Sequence, residues 1–289
     1  MKFLYLTDVH GNLGVYRKAL KLAEKKDIEN IVFGGDSTPN KIALVFRDVF
    51  FLLPFGEWYK RRKGIENEGY IVEHDGRDAS KISDIELTVM AHSLMSRYAD
   101  KQAAYVEKIA GLFEKARRKN IYIMPGNDDA KKILNVYNAL QKQGIRQMHN
   151  RKHEIGGLDI FGYAFVNPTP FFLKDWEKSE KEIAGDLEKL AKGIKPEKTI
   201  MAFHAPPKNT ALDVLHDRSH AGSLAIRRFI EKYQPLIALH GHIHESPEMS
   251  NEISCMLGRT LCVNPGSSNA KMRAVIVDTE KLTVNKVSK

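Results

Sequence analysis

Five apolar runs in this 289-residue chain stop at a residue able to hold a metal ion, usually beside a glycine. FLYLT runs into Asp8, Val9, His10 and Gly11; IVFGG into Asp36; IYIMPG into Asn127; IMAF into His204; and LIALHG into His242, Ile243 and His244. In an open α/β sheet, ligands gather beyond the carboxyl ends of the strands, so these residues are expected to converge on one rim. The glycines at 11, 34, 35, 126 and 241 let the backbone turn sharply there. Imidazole nitrogens with carboxylate or amide oxygens, and no thiolate, suit Mn²⁺ first, with Fe, Zn²⁺ or Co²⁺ as alternatives. The donors are too many for one ion. They suit two divalent metal ions about 3.5–4 Å apart with a bridging carboxylate, an arrangement that clamps a phosphoryl group and activates a water.

Placing those donors requires strands that end on the same side. Strand-like runs recur at 2–7, 30–33, 121–124, 158–161, 199–203, 236–239, 261–263 and 273–277. Helical patterns lie between the early ones, at 14–26 behind Asn12 as a helix cap, then at 101–119, 130–143 and 222–233. This alternation predicts an α/β fold. Fewer helices accompany the later strands, which predicts some antiparallel pairing and a second sheet packed on the first. Between 41 and 100 the alternation stops. Ile42, Val45, Phe46, Val49, Phe50 and Leu53 recur there at helical spacing, while Leu44, Phe51, Leu52 and Phe55 fill the other face. The region is expected to be a mostly helical insertion, buried against the core, a second subunit or a substrate site that it caps.

Composition bounds the remaining choices. A chain that is 43% hydrophobic and 28% charged is ordered and globular, either one large domain or a core domain carrying an insertion. Lys and Arg number 45 against 36 acidic residues, a net charge of +9 that favours phosphate-bearing partners. The basic residues are dispersed, however, and only Lys60, Arg61, Arg62 and Lys63 form a compact run. Cys255 and Cys262 are too few for a disulfide framework and form no CxxC pair, which fits a reducing compartment. The N-terminus reads as a strand rather than a signal segment, and the apolar stretch at 42–55 is broken by Arg47, Asp48 and Pro54. A cytoplasmic protein without a membrane span is expected.

Taken in order, Asp8-Val9-His10, Gly34-Gly35-Asp36, Gly126-Asn127-Asp128-Asp129, His204 and Gly241-His242-Ile243-His244 resemble the motifs of the calcineurin-like metallophosphoesterases. Gly222-Ser223 before a helix, Glu245 after the last motif and Asn264-Pro265-Gly266-Ser267 are most similar to the Icc-related branch of that family. The resemblance implies a single metallophosphoesterase domain over residues 1–289, built as a four-layer α/β/β/α sandwich of two mixed β-sheets with flanking helices, plus the mostly helical insertion at 41–100. It implies that Asp8, His10 and His244 hold a first metal with Asp36 bridging, and that Asn127, His204 and His242 hold a second. The reaction implied is in-line attack on phosphorus by a dimetal-bridging hydroxide, with no covalent phospho-enzyme.

One position departs from the family pattern. A histidine usually follows the metal-binding asparagine, where it stabilises the transition state or protonates the leaving group, and this chain has Asp128. A carboxyl group with an ordinary pKa near 3.9 is a poor acid at neutral pH, and nearby metals lower it further. Asp128 is therefore expected to contact metal-bound water or to orient His10. His220 is then the candidate proton source, unless the leaving group needs little protonation. Asn12 and His216 are candidate substrate contacts, Asn12 being as readily a helix cap. His240 reads as a buried neighbour of the ligands, and Asp129 as a support for the asparagine loop or a ligand histidine. His74, His92, His149 and His153 read as surface or core residues.

The expected activity is hydrolysis of a phosphodiester or phosphomonoester, the diester favoured, on a phosphate-ester small molecule or a nucleotide. Two alternatives remain open. A nuclease on the same fold is opposed by the lack of a concentrated basic stripe with interleaved aromatics. A non-catalytic metal-binding scaffold is favoured by Asp128 and opposed by the complete ligand set. The insertion at 41–100 is expected to shape access to the site or to form a homo-oligomer interface.

Overall fold

The computed structural model of the chain describes residues 1–60, 69–116, 119–170, 174–268 and 271–288. β1 (Lys2–Leu6) leads into α1 (Leu13–Lys25), and β2 (Asn30–Phe33) follows. Asn12 caps α1: its Oδ1 accepts from the Val15 amide at 3.1 Å, satisfying an N–H with no partner inside the helix. The chain then forms β3 (Lys41–Val45), β4 (Val49–Leu53), β5 (Glu57–Lys60), β6 (Tyr70–His74), α2 (Asp84–Ser96) and α3 (Tyr98–Glu114). It continues through β7 (Asn120–Ile123), α4 (Ile133–Leu140), β8 (Ile145–Gln147), β9 (Lys152–Ile155), β10 (Leu158–Tyr163), α5 (Glu180–Ala191), β11 (Thr199–Phe203) and α6 (Leu224–Tyr233). The last elements are β12 (Ile237–Leu239), α7 (Ser246–Ser250), β13 (Ser254–Leu257), β14 (Thr260–Val263), β15 (Arg273–Asp278) and β16 (Thr283–Ser288).

Two six-stranded sheets result, ordered β16-β15-β1-β2-β7-β8 and β13-β14-β12-β11-β10-β9. Both are mixed. β1, β2, β7 and β8 run parallel in the first, with β15 antiparallel to β1 and β16 antiparallel to β15. β10, β11, β12 and β14 run parallel in the second, where only the edge strands β9 and β13 are antiparallel. Phe3, Tyr5 and Val32 of the first sheet share a core with Ile160, Ile200, Ala202, Ile237 and Leu239 of the second. Alternate residues Leu4, Leu6, Ile31 and Phe33 turn outward to α1, α3 and α4, and Met201, Phe203 and Ala238 turn outward to α5 and α6. With cores on both faces, β2 and β11 are buried at every position, as parallel strands between two layers must be.

Strand register sets the rim. Phe33 lies between Leu6 and Ile123 in the first sheet, and Ala202 lies beside Leu239 in the second. Levelled in this way, β1, β2 and β7 end together just before Asp8, Asp36 and Asn127, while β11 and β12 end just before His204 and His242.

The helical expectation for 41–100 fails in its first half and holds in its second. Within 41–60 and 70–74 the chain forms a four-stranded sheet ordered β5-β4-β3-β6, and α-helix begins with α2. Ile42, Leu44 and Phe46 pack with Leu53, Ile71, Leu94 and Tyr98, whereas Ala43 and Val45 pack with Phe50 and Leu52. Because β3 and most of β4 are buried on both faces, the run is apolar at nearly every position, its period of two is hidden, and a helical spacing can be drawn through it. Lys60 ends β5, and the rest of the basic run, Arg61, Arg62 and Lys63, lies outside the described residues. α3 joins the insertion to the main body, with Tyr98 in the insertion's core and Tyr105, Val106 and Ile109 in the core under the first sheet. No helix among the described residues is long and apolar enough to cross a membrane. Replacing the cap, Asn12→Ala, is expected to lower stability by about 1 kcal/mol in chemical denaturation; an unchanged unfolding midpoint would show that α1 does not depend on it.

Candidate metal centre

Asp8, His10, Asp36 and His242 all adopt left-handed backbone, with φ of 53°, 45°, 47° and 66°. A non-glycine residue in that region costs about 1–3 kcal/mol and persists only where its surroundings enforce it. Enforcement comes from lacing between loops. The amides of Asp8, His10 and Gly11 donate to the carbonyls of Gly35, Asp36 and Ser37 at 3.0, 2.8 and 3.0 Å, and the Gly241 amide donates to the His204 carbonyl at 2.9 Å. Gly35 is required on two counts: its φ is +116°, and a Cβ there would stand 2.3 Å from His204 Nδ1.

Buried side chains pin the same loops from beneath. The Asp129 carboxylate accepts from the amides of Ser37, Thr38 and Gly126 at 3.0, 2.9 and 3.0 Å and from both hydroxyls of Ser37 and Thr38. It supports the asparagine loop, as its position in the sequence suggested. Tyrosine hydroxyls donate to loop carbonyls: Tyr16 to Ser37 at 2.8 Å, Tyr98 to Pro39 at 2.9 Å, Tyr105 to Gly11 at 2.7 Å and Tyr5 to His240 at 2.8 Å. Gln102 of α3 ties two loops together, donating to the carbonyls of Pro39 and Asp128 and accepting from the Ala130 amide.

The structure brings all the strand-end donors together. Ligand atoms of Asp8, His10, Asp36 and His244 lie within 4.8 Å of one another, with His10 Nε2 3.2 Å from His244 Nε2 and Asp8 Oδ1 3.4 Å from His244 Nε2. Beside them, Asn127 Oδ1 is 3.1 Å from His204 Nε2 and 2.6 Å from His242 Nδ1, and Asp36 Oδ2 is 3.3 Å from His204 Nε2. Ligands about 2.1 Å from one ion stand about 3 Å apart when adjacent, so the group of Asp8, His10, Asp36 and His244 could hold an ion. His204 Nδ1 is fixed by the Gly34 carbonyl at 3.0 Å, which leaves Nε2 for a ligand. The buried Nδ1 of His10 has no hydrogen-bond partner.

Charge tells the same story. Burial pushes His204 down, but the carboxylates of Asp36 and Asp8 outweigh it and raise the ring to about 10. Burial likewise opposes a proton on His244, yet Asp8 holds its pKa above the ordinary value. Burial drives Asp36 upward, reinforced by Asp128 and Asp8. His10 and His242, where burial and neighbouring imidazoles act together, are pushed down to about 4 and about 3. The cluster thus gathers protons onto some members while keeping lone pairs bare on others, a charge demand that divalent cations fit.

A cavity of about 440 Å³ opens from the cluster. Its floor is His10, Asp36, Asn127, Asp128, His242 and His244, and its upper wall includes Asn40 together with Lys41 and Phe55 of the insertion, with Glu245 beyond His244. Asp128 Oδ1 accepts from Asn127 Nδ2 at 2.7 Å, and its Oδ2 accepts from Asn40 Nδ2 at 2.6 Å and stands 3.9 Å from His10 Nδ1. Sequence reasoning missed Asn40, Lys41 and Phe55; the available signal for the first two was their place directly after the Asp36 loop. Asn12 borders a small cleft beside Asp8 and His10 while serving as the α1 cap. His220 and His216 are not part of the cavity lining: His220 Nδ1 is 2.7 Å from Asp213 Oδ1, and the exposed His216 reaches the rim only through Glu245, 4.0 Å away. His240 is buried under the cluster, its Nδ1 3.0 Å from the Ala205 carbonyl and its ring stacked on Phe203.

Over residues 1–246 the sequence matches the family described as calcineurin-like phosphoesterases. The chain belongs to that family. Members hydrolyse phosphate esters with divalent metal ions, in keeping with the donor cluster. Among solved structures, the chain is similar to TT1561 of Thermus thermophilus, at 15% identity and a TM-score of 0.64 over 99% of this chain and 97% of that one. It is also similar to a dimetal phosphatase from Danio rerio, at 8% identity and a TM-score of 0.51 over 96% and 91%. These likenesses show the calcineurin-like fold. No curated protein matches the chain in sequence.

Two outcomes follow from this geometry. Asp129→Ala, which strips a buried loop junction of its shared acceptor, is expected to cost about 2–4 kcal/mol of stability, read from denaturation midpoints; a loss below about 0.5 kcal/mol would contradict the pinning role. Metal loading should release protons, because His204 keeps its proton up to about 10 in the metal-free cluster. Affinity therefore rises with pH across the neutral range, and calorimetry in buffers of different ionisation enthalpy should show net proton release; zero release would contradict it.

Proposed function

We propose that the chain hydrolyses a phosphate ester, a diester in preference to a monoester, using two divalent cations, Mn²⁺ first among them. The observation that supports this reading is the cluster of Asp8, His10, Asp36 and His244 with Asn127, His204 and His242 directly beside it; on this reading Asp8, His10 and His244 would hold one cation, Asn127, His204 and His242 the other, and Asp36 would serve both. Bound there, the cations supply positive charge for the phosphoryl oxygens and acidify the attacking water.

The protein's own residues set the geometry. Asp36 Oδ1 accepts from the Asp128 amide at 2.8 Å, which directs Oδ2 toward His204. The Asp128 side chain holds the amino group of Asn127, so that the amide oxygen faces His204 and His242. Asp128 is on this reading a positioning residue for Asn127 and a close neighbour of His10, not the acid that the family histidine supplies. No proton transfer is assigned to His220, whose ring is engaged by Asp213.

Charge at the cavity wall favours the diester. Asp128 and Glu245 outnumber Lys41 in the lining above the donor cluster, so a diester with one negative charge enters at less cost than a monoester dianion with two. Both cysteines are free, which accords with a reducing, cytoplasmic setting.

The Mn²⁺-loaded chain should turn over bis-p-nitrophenyl phosphate faster than p-nitrophenyl phosphate. His242→Ala should lower kcat by more than about 100-fold, and Asp128→Ala should weaken metal affinity or activity by about 10–100-fold through Asn127. Wild-type protein with metal demonstrably bound and no turnover of either ester would overturn the proposal.

A further inference from the structure

We infer that the insertion builds a seat for a planar aromatic group on the phosphate ester, with the Phe55 ring as its floor and the Lys41 ammonium beside the phosphoryl group. This rests on the phosphoesterase reading above and adds the class of substrate.

Hydrogen-bonding capacity decides the class. Along the upper cavity two polar groups of the insertion and its junction are already engaged: the Tyr98 hydroxyl donates to the Pro39 carbonyl at 2.9 Å, and the Asn40 amide donates to Asp128 at 2.6 Å. Beside Lys41 and Glu245, the rest of this lining is apolar: Pro54, Phe55, Met95 and Pro170. A sugar or other polyol entering here would give up hydrogen bonds to water and find few in return. A flat ring loses nothing of that kind and covers apolar surface that is otherwise wet.

Phe55 is the strongest single indication. Its side chain is 59% exposed although it lines a cavity, so a ligand can stack on it without any rearrangement of the core. Met95 adds a polarisable thioether suited to a ring edge. Lys41 is the one cation among the described residues that line this cavity. Its Nζ stands 5.3 Å from the centre of the Phe55 ring, and its charge is felt by Asp128 and His10 at the metal cluster. The same lysine therefore spans the distance between the aromatic wall and the place where phosphoryl oxygens would sit. It supplies cationic charge in the neighbourhood where the family's histidine is replaced by Asp128.

Phosphonates test the seat without hydrolysis, since they have no ester bond to break. Equilibrium binding of phenylphosphonate and methylphosphonate to the Mn²⁺-loaded chain should differ by at least about tenfold in favour of the phenyl compound. Phe55→Ala should bring that ratio close to one. Lys41→Met, which keeps the aliphatic stem, should weaken both compounds and preserve the ratio. Displacement of phenylphosphonate by adenosine 5′-phosphate but not by ribose 5-phosphate would extend the seat to a nucleobase, and displacement by neither would restrict it to a small aryl ring; both results keep the planar group. Equal affinity for the two phosphonates, or a wild-type ratio in Phe55→Ala, would overturn this inference alone. Failure of the loaded protein to bind either phosphonate would overturn the phosphoesterase reading with it.

Discussion

Buried carboxylates that repel one another are aimed at the same few ångströms, and the rest of the rim exists to keep them there. Burial drives the Asp36 carboxyl upward, and the charges of Asp128 and Asp8 add to it, in surroundings that screen charge poorly. Such a group of atoms spreads apart unless the backbone beneath it is stiff. Stiffness comes from neutral donors that cannot be titrated away. Burial raises the pKa of Tyr5, Tyr16, Tyr98 and Tyr105, so each keeps the proton it gives to a loop carbonyl. A phenylalanine in place of Tyr5 or Tyr105 would take from the carbonyl of His240 or Gly11 the hydroxyl that donates to it.

The two sheets are therefore not independent layers that happen to touch. The His242 amide, at the end of the second sheet, donates to both oxygens of Asp8, at the end of the first, at 3.1 and 3.2 Å. Between them lies the shared core of Tyr5, Val32, Ile200 and Leu239. Packing in that core sets the spacing between ligands contributed by opposite sheets, so core volume and metal geometry are one property.

Much of this was legible in the sequence because the site sits where apolar runs end. A run such as Thr199–Phe203 announces a buried strand, and a histidine directly after it is placed by the strand itself. Asn12 as a cap and Asp129 as a loop support were readable for the same reason: their roles are local. The insertion was not, since a strand buried on both faces, as β3 is, erases the alternation that marks it, and nothing local tells Ile42 from Ala43. Asn40, Lys41 and Phe55 were invisible as cavity residues because their position depends on how α3 docks, a long-range fact carried by Gln102 and Tyr98. The role of Asp128 was half legible. That it departs from the family pattern could be read, but that its carboxylate grips the neighbouring asparagine could not.

Lys41 at the start of β3 lies beside Tyr70 at the start of β6 in parallel register. The segment between these two points therefore has both of its ends at adjacent places in the fold. Lengthening, shortening or exchanging such an excursion leaves the register of the main sheets untouched. Descendants of one ancestral hydrolase could therefore trade this segment as a unit, drifting in what they recognise while the ion-holding rim, fixed by the strands, is inherited unaltered.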